Sequence, residues 1–195
     1  MPDLDIYAAL RESHDIQREL CTRLTRTRNP EGRLETFRTL KLELYAHAAA
    51  EERFLYAPML MEDAGLYSAR HALAEHHRLD HAVEALQGLP ADGDDFGAAA
   101  KRLVHGVRHH LKEEERRFFQ VSGRILTETQ KRKLARQYLR DYARMKKHLA
   151  AQWGWTPARA THTDTPAVKQ ARKTVPARSG PERVAGLVQG ITTAR

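Results

Sequence analysis

The sequence predicts an all-α protein: an up-down-up-down four-helix bundle with an additional C-terminal helix and a disordered basic tail. Leu, Ala, Glu and Arg dominate the first 150 residues, a composition typical of helical proteins. Apolar residues recur there at steps of three and four, which is the spacing of one face of an α-helix. Pro and Gly cluster at a few points between these segments, where they mark turns. Because the connections are short, we expect consecutive helices to pack antiparallel around one interior.

Five amphipathic segments follow from this spacing. The first four are predicted over residues 5–26, over residues 34–60, from just after Gly65 to about residue 87, and over residues 96–121. We expect the turn at residues 29–32 to end the first segment and Ser122-Gly123 to close the fourth. The fifth, over residues 127–151, begins with a capping-box pattern at Thr127–Gln130 and is predicted to pack on the bundle with a solvated basic face.

The last forty residues differ in composition from the rest. Residues 156–195 hold four prolines, seven Lys or Arg and two acidic residues, so this segment carries +5 of the net charge of +8. It has too little apolar surface to offset the entropy of ordering the chain. We therefore divide the chain into a bundle (1–122), an accessory basic amphipathic helix (123–155) and a disordered basic tail (156–195).

Several protein classes are excluded by composition. The sequence contains no run of about 18 apolar residues, so it predicts no membrane span. Its acidic, amphipathic opening does not resemble a signal peptide. The single cysteine, Cys21, lies among the apolar residues of its segment and is predicted to be a buried hydrophobe, not a nucleophile. One cysteine forms no intrachain disulfide, so we expect a cytoplasmic protein.

Polar residues occupy the predicted interior of the bundle. Each of the first four segments places one histidine in the middle of its apolar stripe, and two of these are followed one turn later by a glutamate on the same face. The resulting set is His14, His47, Glu51, His76, His110 and Glu114. His105 and His109 lie about 100° or more from His110 around the helix, and His81 is rotated away from His76 in the same manner. His77, next to His76, is a candidate for a supporting position.

Two explanations fit this set. Any one of these histidines is commonly a core residue hydrogen-bonded to a neighbour. Six ionisable groups converging in one interior are better explained by a metal, because buried charges must be paired or coordinate a cation. Imidazole and carboxylate donors suit iron or manganese, with zinc as an alternative. One zinc takes only three or four protein ligands, so the surplus of donors predicts two ions.

The residues that carry this pattern resemble those of the hemerythrin-like, or HHE cation-binding, family. The matching segments are Glu12-Ser13-His14, His47-Ala-Ala-Ala-Glu51-Glu52, Ala74-Glu75-His76-His77 and His110-Leu-Lys-Glu-Glu114-Glu115, within about residues 5–122. The resemblance implies a carboxylate-bridged pair of irons in a non-haem site. The oxygen-carrying members have one more histidine, at the position of Ala72 here, and a His and an Asp five apart where this chain has His110 and Glu114. The sequence is thus similar to the broader HHE branch.

Three functions remain open at this stage. The first is a protein that binds or senses oxygen, nitric oxide or iron at the di-iron site. The second is a redox enzyme that uses the same site on peroxide or nitric oxide. The third is an interaction module whose basic helix and tail contact nucleic acid or an acidic partner. We expect a small diatomic ligand or peroxide as the partner, no membrane, and no nucleic acid, because the tail has few aromatic residues and no recognised reading motif.

Overall fold

Five helices account for almost all of residues 4–155, the part of the chain that the computed structural model describes. The first helix spans Ile6–Arg26, the third Asp63–Gln87 and the fifth Glu128–Gln152. The second helix consists of three consecutive segments, Pro30–Glu51, Glu52–Tyr56 and Ala57–Leu60. The fourth also consists of three, Asp94–Glu113, Glu114–Phe118 and Phe119–Ile125. The first four form the bundle and the fifth lies against the first and second. The predicted fold class is confirmed over this range.

The predicted tail, residues 156–195, lies outside the described residues. The proposed division into bundle, accessory helix and tail stays a prediction. Within the described range, no helix has the length and apolarity needed to cross a membrane.

The start of the second helix corrects the sequence interpretation, which treated residues 29–32 as a turn. Asn29 is the N-cap, and its side-chain oxygen accepts a hydrogen bond from the Gly32 backbone N–H at 2.6 Å. Pro30 occupies the first helical position, where its missing N–H and fixed φ cost nothing. The helix therefore begins four residues earlier than expected, at Pro30. The first and fifth helices are capped in the same manner, by Asp5 and by the predicted capping box at Thr127 and Gln130.

A π-helical turn interrupts both the second and the fourth helix at the predicted metal ligands. One covers Glu52–Tyr56, directly after Glu51, and the other, Glu114–Phe118, begins at Glu114. A π turn inserts one extra residue into an α-helix and often marks a functional site. Downstream of each insertion, the buried stripe therefore advances by one residue.

This shift explains two departures from a uniform helical period. A period of 3.6 residues counted from His47 and Glu51 places Phe54 on the interior stripe, but Phe54 is half-buried, whereas Leu55 is fully buried. The same count from His110 and Glu114 places Val121 on the stripe, yet Ser122 takes the interior position. Its hydroxyl donates to the Phe118 carbonyl at 2.8 Å and accepts from the Tyr7 hydroxyl at 3.0 Å. Ser122 is thus packed inside the helix, which continues to Ile125 instead of closing at Ser122-Gly123.

The core consists of two apolar layers at different depths of the bundle. One gathers residues such as Ile6, Leu10, Leu55 and Phe118, and the other gathers residues such as Leu20, Leu40, Val83 and Leu103. In the first and third helices, His14 and His76 lie between the residues of the two layers along the chain, and in the second and fourth helices the predicted ligands lie where the two layers meet. The polar groups are therefore enclosed by apolar side chains above and below.

The fifth helix is joined to the bundle by apolar and ionic contacts. Ala135, Tyr138, Leu139 and Tyr142 belong to the first apolar layer. Its buried Asp141 pairs with Arg53, while Tyr142 and Lys146 both reach the buried Glu43 of the second helix. Its opposite side exposes the cations Lys133, Arg136, Arg140 and Lys147, as the sequence predicted for a solvated face.

Candidate metal centre

The six predicted ligands, one or two from each bundle helix, are brought together between the apolar layers. Each is at most 5% exposed. The six side chains converge because the four antiparallel helices carry them at the same depth of the bundle, each pointing inward from the middle of its apolar stripe. Their role as ligands stays a prediction, whereas their convergence is observed.

Their donor atoms form two overlapping groups. His14, His47, Glu51 and Glu114 make one group, which we name the first metal position, and Glu51, His76 and His110 make the other, the second metal position. Within each group the donor atoms lie within 4.8 Å of one another.

Glu51 is the residue that both groups share. Its Oε2 lies 3.2 Å from His47 Nε2 and 3.5 Å from His76 Nε2. Glu114 Oε2 lies 3.3 Å from His14 Nε2 and 3.9 Å from His110 Nε2. Carboxylates between histidines of different groups are suited to bridge two cations.

Several of these atoms have no hydrogen-bond partner. They are both oxygens of Glu51, Oε2 of Glu114, and Nε2 of His14 and of His47. Buried polar atoms are nearly always satisfied, and a buried carboxylate without a partner is costly. Cations placed among these atoms would satisfy all of them, so the donor set fits the metal that the residue pattern implies.

Each histidine directs Nε2 toward the centre and holds Nδ1 against an outer partner. Nδ1 of His14 lies 2.7 Å from Glu115, that of His76 lies 2.7 Å from Glu52, and that of His110 lies 3.1 Å from Glu75. Nδ1 of His47 lies 2.9 Å from the Tyr138 hydroxyl. Such partners fix the tautomer and orientation of a metal-binding imidazole.

The protonation of these groups follows from their neighbours. Burial opposes a charge on His14, but its contacts with Glu114 and Glu115 outweigh burial and raise its pKa to about 9. Burial likewise disfavours the charge on Glu115, yet His14 and Arg18 lower the pKa of this carboxyl to about 2. Burial and the neighbouring His14 lower the pKa of His47 well below 6.5. Without metal, therefore, His14 carries a proton that a cation must displace, whereas His47 is neutral.

A tyrosine that the sequence analysis did not select adjoins both metal positions. The Tyr56 hydroxyl donates to Glu114 Oε1 at 2.7 Å and lies 3.5 Å from His76 Nε2. Tyr56 is fully buried, and this burial raises the pKa of its phenol well above 10. It therefore remains a neutral donor that orients Glu114.

A small cavity reaches the centre from one side. Its volume is about 20 Å³, and its lining includes His47, His76 and His110 together with Gln17 and Asp80. A polar cavity above roughly 10–15 Å³ holds one water molecule. This space is therefore about the size needed for a single water molecule.

The remaining histidines considered in the sequence lie outside the centre. His77 and His81 are exposed and face each other, with Nε2 atoms 3.1 Å apart, so His77 does not support the site. His105 and His109 are exposed, as predicted. Cys21 is fully buried, and burial raises the pKa of its thiol to about 12, which agrees with the prediction of an inert side chain.

Three residues of the centre escaped the sequence analysis, namely Tyr56, Glu75 and Tyr138. Glu75 could have been found, because it lies three residues after Ala72 and four before Leu79, both of which are buried. Tyr56 lies off the stripe that a uniform period of 3.6 residues predicts, and the π turn brings it into the interior. Tyr138 is 91 residues from His47 in sequence, and no local pattern relates the two.

Comparison with known proteins agrees with this geometry. Residues 5–122 match the family described as the hemerythrin HHE cation binding domain. A protein of Nostoc sp. named DNA nickase is 23% identical over 150 residues, which cover 77% of this chain and 42% of that protein. The chain thus spans less than half the length of that relative. No solved structure matches the chain.

Proposed function

We propose that this protein, which belongs to the hemerythrin HHE cation-binding domain family, holds two iron ions and binds or senses oxygen, nitric oxide or iron. The observation that carries the proposal is the pair of overlapping donor groups sharing Glu51. His14, His47, Glu51 and Glu114 would hold one ion, and Glu51, His76 and His110 the other. Mixed imidazole and carboxylate donors favour iron, and they also suit manganese or zinc.

The environment of the centre favours a small ligand over an organic substrate. Pockets for organic ligands usually measure about 300–1,000 Å³, whereas the cavity at the histidines holds about 20 Å³. Bound iron would supply redox and ligand-binding chemistry, and the side chains around it would control its surroundings. Apolar layers exclude bulk water, outer partners fix the imidazoles, and Tyr56 holds a proton at the Glu114 carboxylate.

The DNA nickase activity of the Nostoc relative is not part of this proposal. The two chains share 23% identity, and the similarity covers 42% of that protein. The donors described above are buried, and a strand of DNA cannot reach them.

Adding small molecules to the iron-loaded protein tests the proposal. We expect oxygen or nitric oxide, added to anaerobic ferrous protein, to change the visible spectrum, and we expect removal of the gas to reverse the change. We expect no sustained release of oxygen after peroxide addition. The measurement is optical spectroscopy with a parallel oxygen electrode, and His76→Ala serves as the control that disrupts the second metal position. Rapid, sustained gas evolution from peroxide would instead establish a peroxide-consuming enzyme.

A further inference from the structure

The outer partners of the four histidines differ in origin. Glu52, Glu75 and Glu115 lie within the matched family domain, residues 5–122. Tyr138 belongs to the fifth helix, Glu128–Gln152, which lies outside that domain. One ligand of the centre is therefore oriented by a helix that the family domain does not include.

The contact between Tyr138 and His47 is closely constrained. Tyr138 is fully buried, and its ring meets that of His47 edge-on, at 82° and 5.9 Å between centroids. The Tyr138 ring also stacks on the ring of Tyr142, with an interplanar angle of 7° and centroids 5.7 Å apart. The hydroxyl has little freedom to move away from His47 Nδ1.

The tautomer of His47 follows from this contact. Because His47 Nε2 faces the first metal position, it must offer a lone pair there, and the ring proton then resides on Nδ1. That N–H donates to the Tyr138 oxygen. Without this acceptor, a buried N–H loses its partner and the ring can turn or change its tautomer.

We infer that Tyr138 is a positioning residue of the first metal position, so that the fifth helix forms part of the metal centre. This inference rests on the proposed function, because it assigns a role toward the two ions. Tyr138 acts through His47 and touches neither ion.

The same contacts make the two metal positions unequal. At the second position, His76 and His110 are backed by the carboxylates of Glu52 and Glu75, and Glu75 also pairs with Arg78 at 3.7 Å. At the first position, His47 is backed by a neutral phenol. The Glu115 oxygen that holds His14 also accepts from Arg18 at 2.7 Å, which neutralises its charge.

An outer partner fixes the tautomer and orientation of an imidazole ligand and raises its basicity, and His47 belongs to the first metal position alone. Removing the Tyr138 hydroxyl should therefore weaken binding at the first position and leave the second unchanged.

The test compares Tyr138→Phe with Tyr142→Phe in the full chain. Both variants remove one buried hydroxyl from the same helix and keep the ring that fills the core. The Tyr142 hydroxyl donates a hydrogen bond to Glu43 and contacts no histidine of the centre, so Tyr142→Phe is a matched control. Metal-free protein is titrated with Co²⁺, whose visible absorption reports the geometry of each ion, and thermal unfolding of both metal-free variants checks the fold.

We expect Tyr138→Phe to lower the affinity for one of the two ions by roughly 10–100-fold, the usual effect of losing an outer partner of a ligand. We also expect the absorption of that ion alone to change. Tyr142→Phe should titrate like the unchanged protein. If Tyr138→Phe binds both ions normally, or if both variants lose affinity equally, Tyr138 has no specific positioning role. Should the unchanged protein fail to bind two ions, the proposed function itself is wrong.

Discussion

Replacing Glu51 with Gln is expected to reduce the affinity for both metal ions by more than about 100-fold, beyond the usual range for residues that only support a ligand. Glu51 belongs to both donor groups, and neither of its oxygens has a hydrogen-bond partner. Gln keeps the shape of the side chain but removes the charge and replaces one oxygen with an NH₂ group that cannot bind a cation.

Glu52→Gln is the matched control for this prediction. Glu52 neighbours Glu51 in sequence, its side chain is 41% exposed, and its carboxylate lies 2.7 Å from the outer Nδ1 of His76. Loss of the Glu52 carboxylate should lower the metal affinity by roughly 10–100-fold, mainly at the second metal position. Titration of both variants in parallel gives the comparison. Equal losses would show that Glu51 does not bridge the two positions.

Removing the metal is expected to lower the melting temperature of the protein substantially. An ion present at about 1,000 times its dissociation constant stabilises the folded state by about 4 kcal/mol. In a domain of this size, each kcal/mol shifts the melting temperature by roughly 2–4 °C. Each ion should therefore contribute roughly 8–16 °C under these conditions.

Calorimetry of the iron-loaded protein, before and after treatment with a chelator, measures this effect. Glu51→Gln provides the control, since a variant whose metal affinity is lower by more than about 100-fold should show a much smaller change in melting temperature on chelation. An unchanged melting temperature after complete metal removal would mean that no metal binds among the buried groups.

The positions of the candidate ligands could be predicted from the sequence because they depend on local periodicity. Four histidines in the middle of four apolar stripes, two of them followed by a glutamate one turn later, fix both the face and the depth of each side chain. A buried imidazole or carboxylate is costly without a partner, so its presence in a stripe is informative. The structure brings all six side chains together as this pattern indicates.

The outer partners could not be predicted from the same pattern. Tyr138 meets His47 only because the fifth helix packs against the second, and sequence spacing contains no information about that contact. A period fixed at 3.6 residues per turn also cannot predict the π turns, which lie directly after Glu51 and from Glu114 onward. They moved Leu55 and Ser122 inward, in place of Phe54 and Val121, and brought Tyr56 to the metal centre.

The metal content of the purified protein tests the central claim most directly. Protein prepared from iron-supplied cells and analysed by elemental mass spectrometry should contain about two metal ions per chain, predominantly iron, because the donors form two groups and exceed what one ion takes from protein side chains. A reproducible content of one zinc ion per chain, with no iron, would contradict the di-iron centre described above.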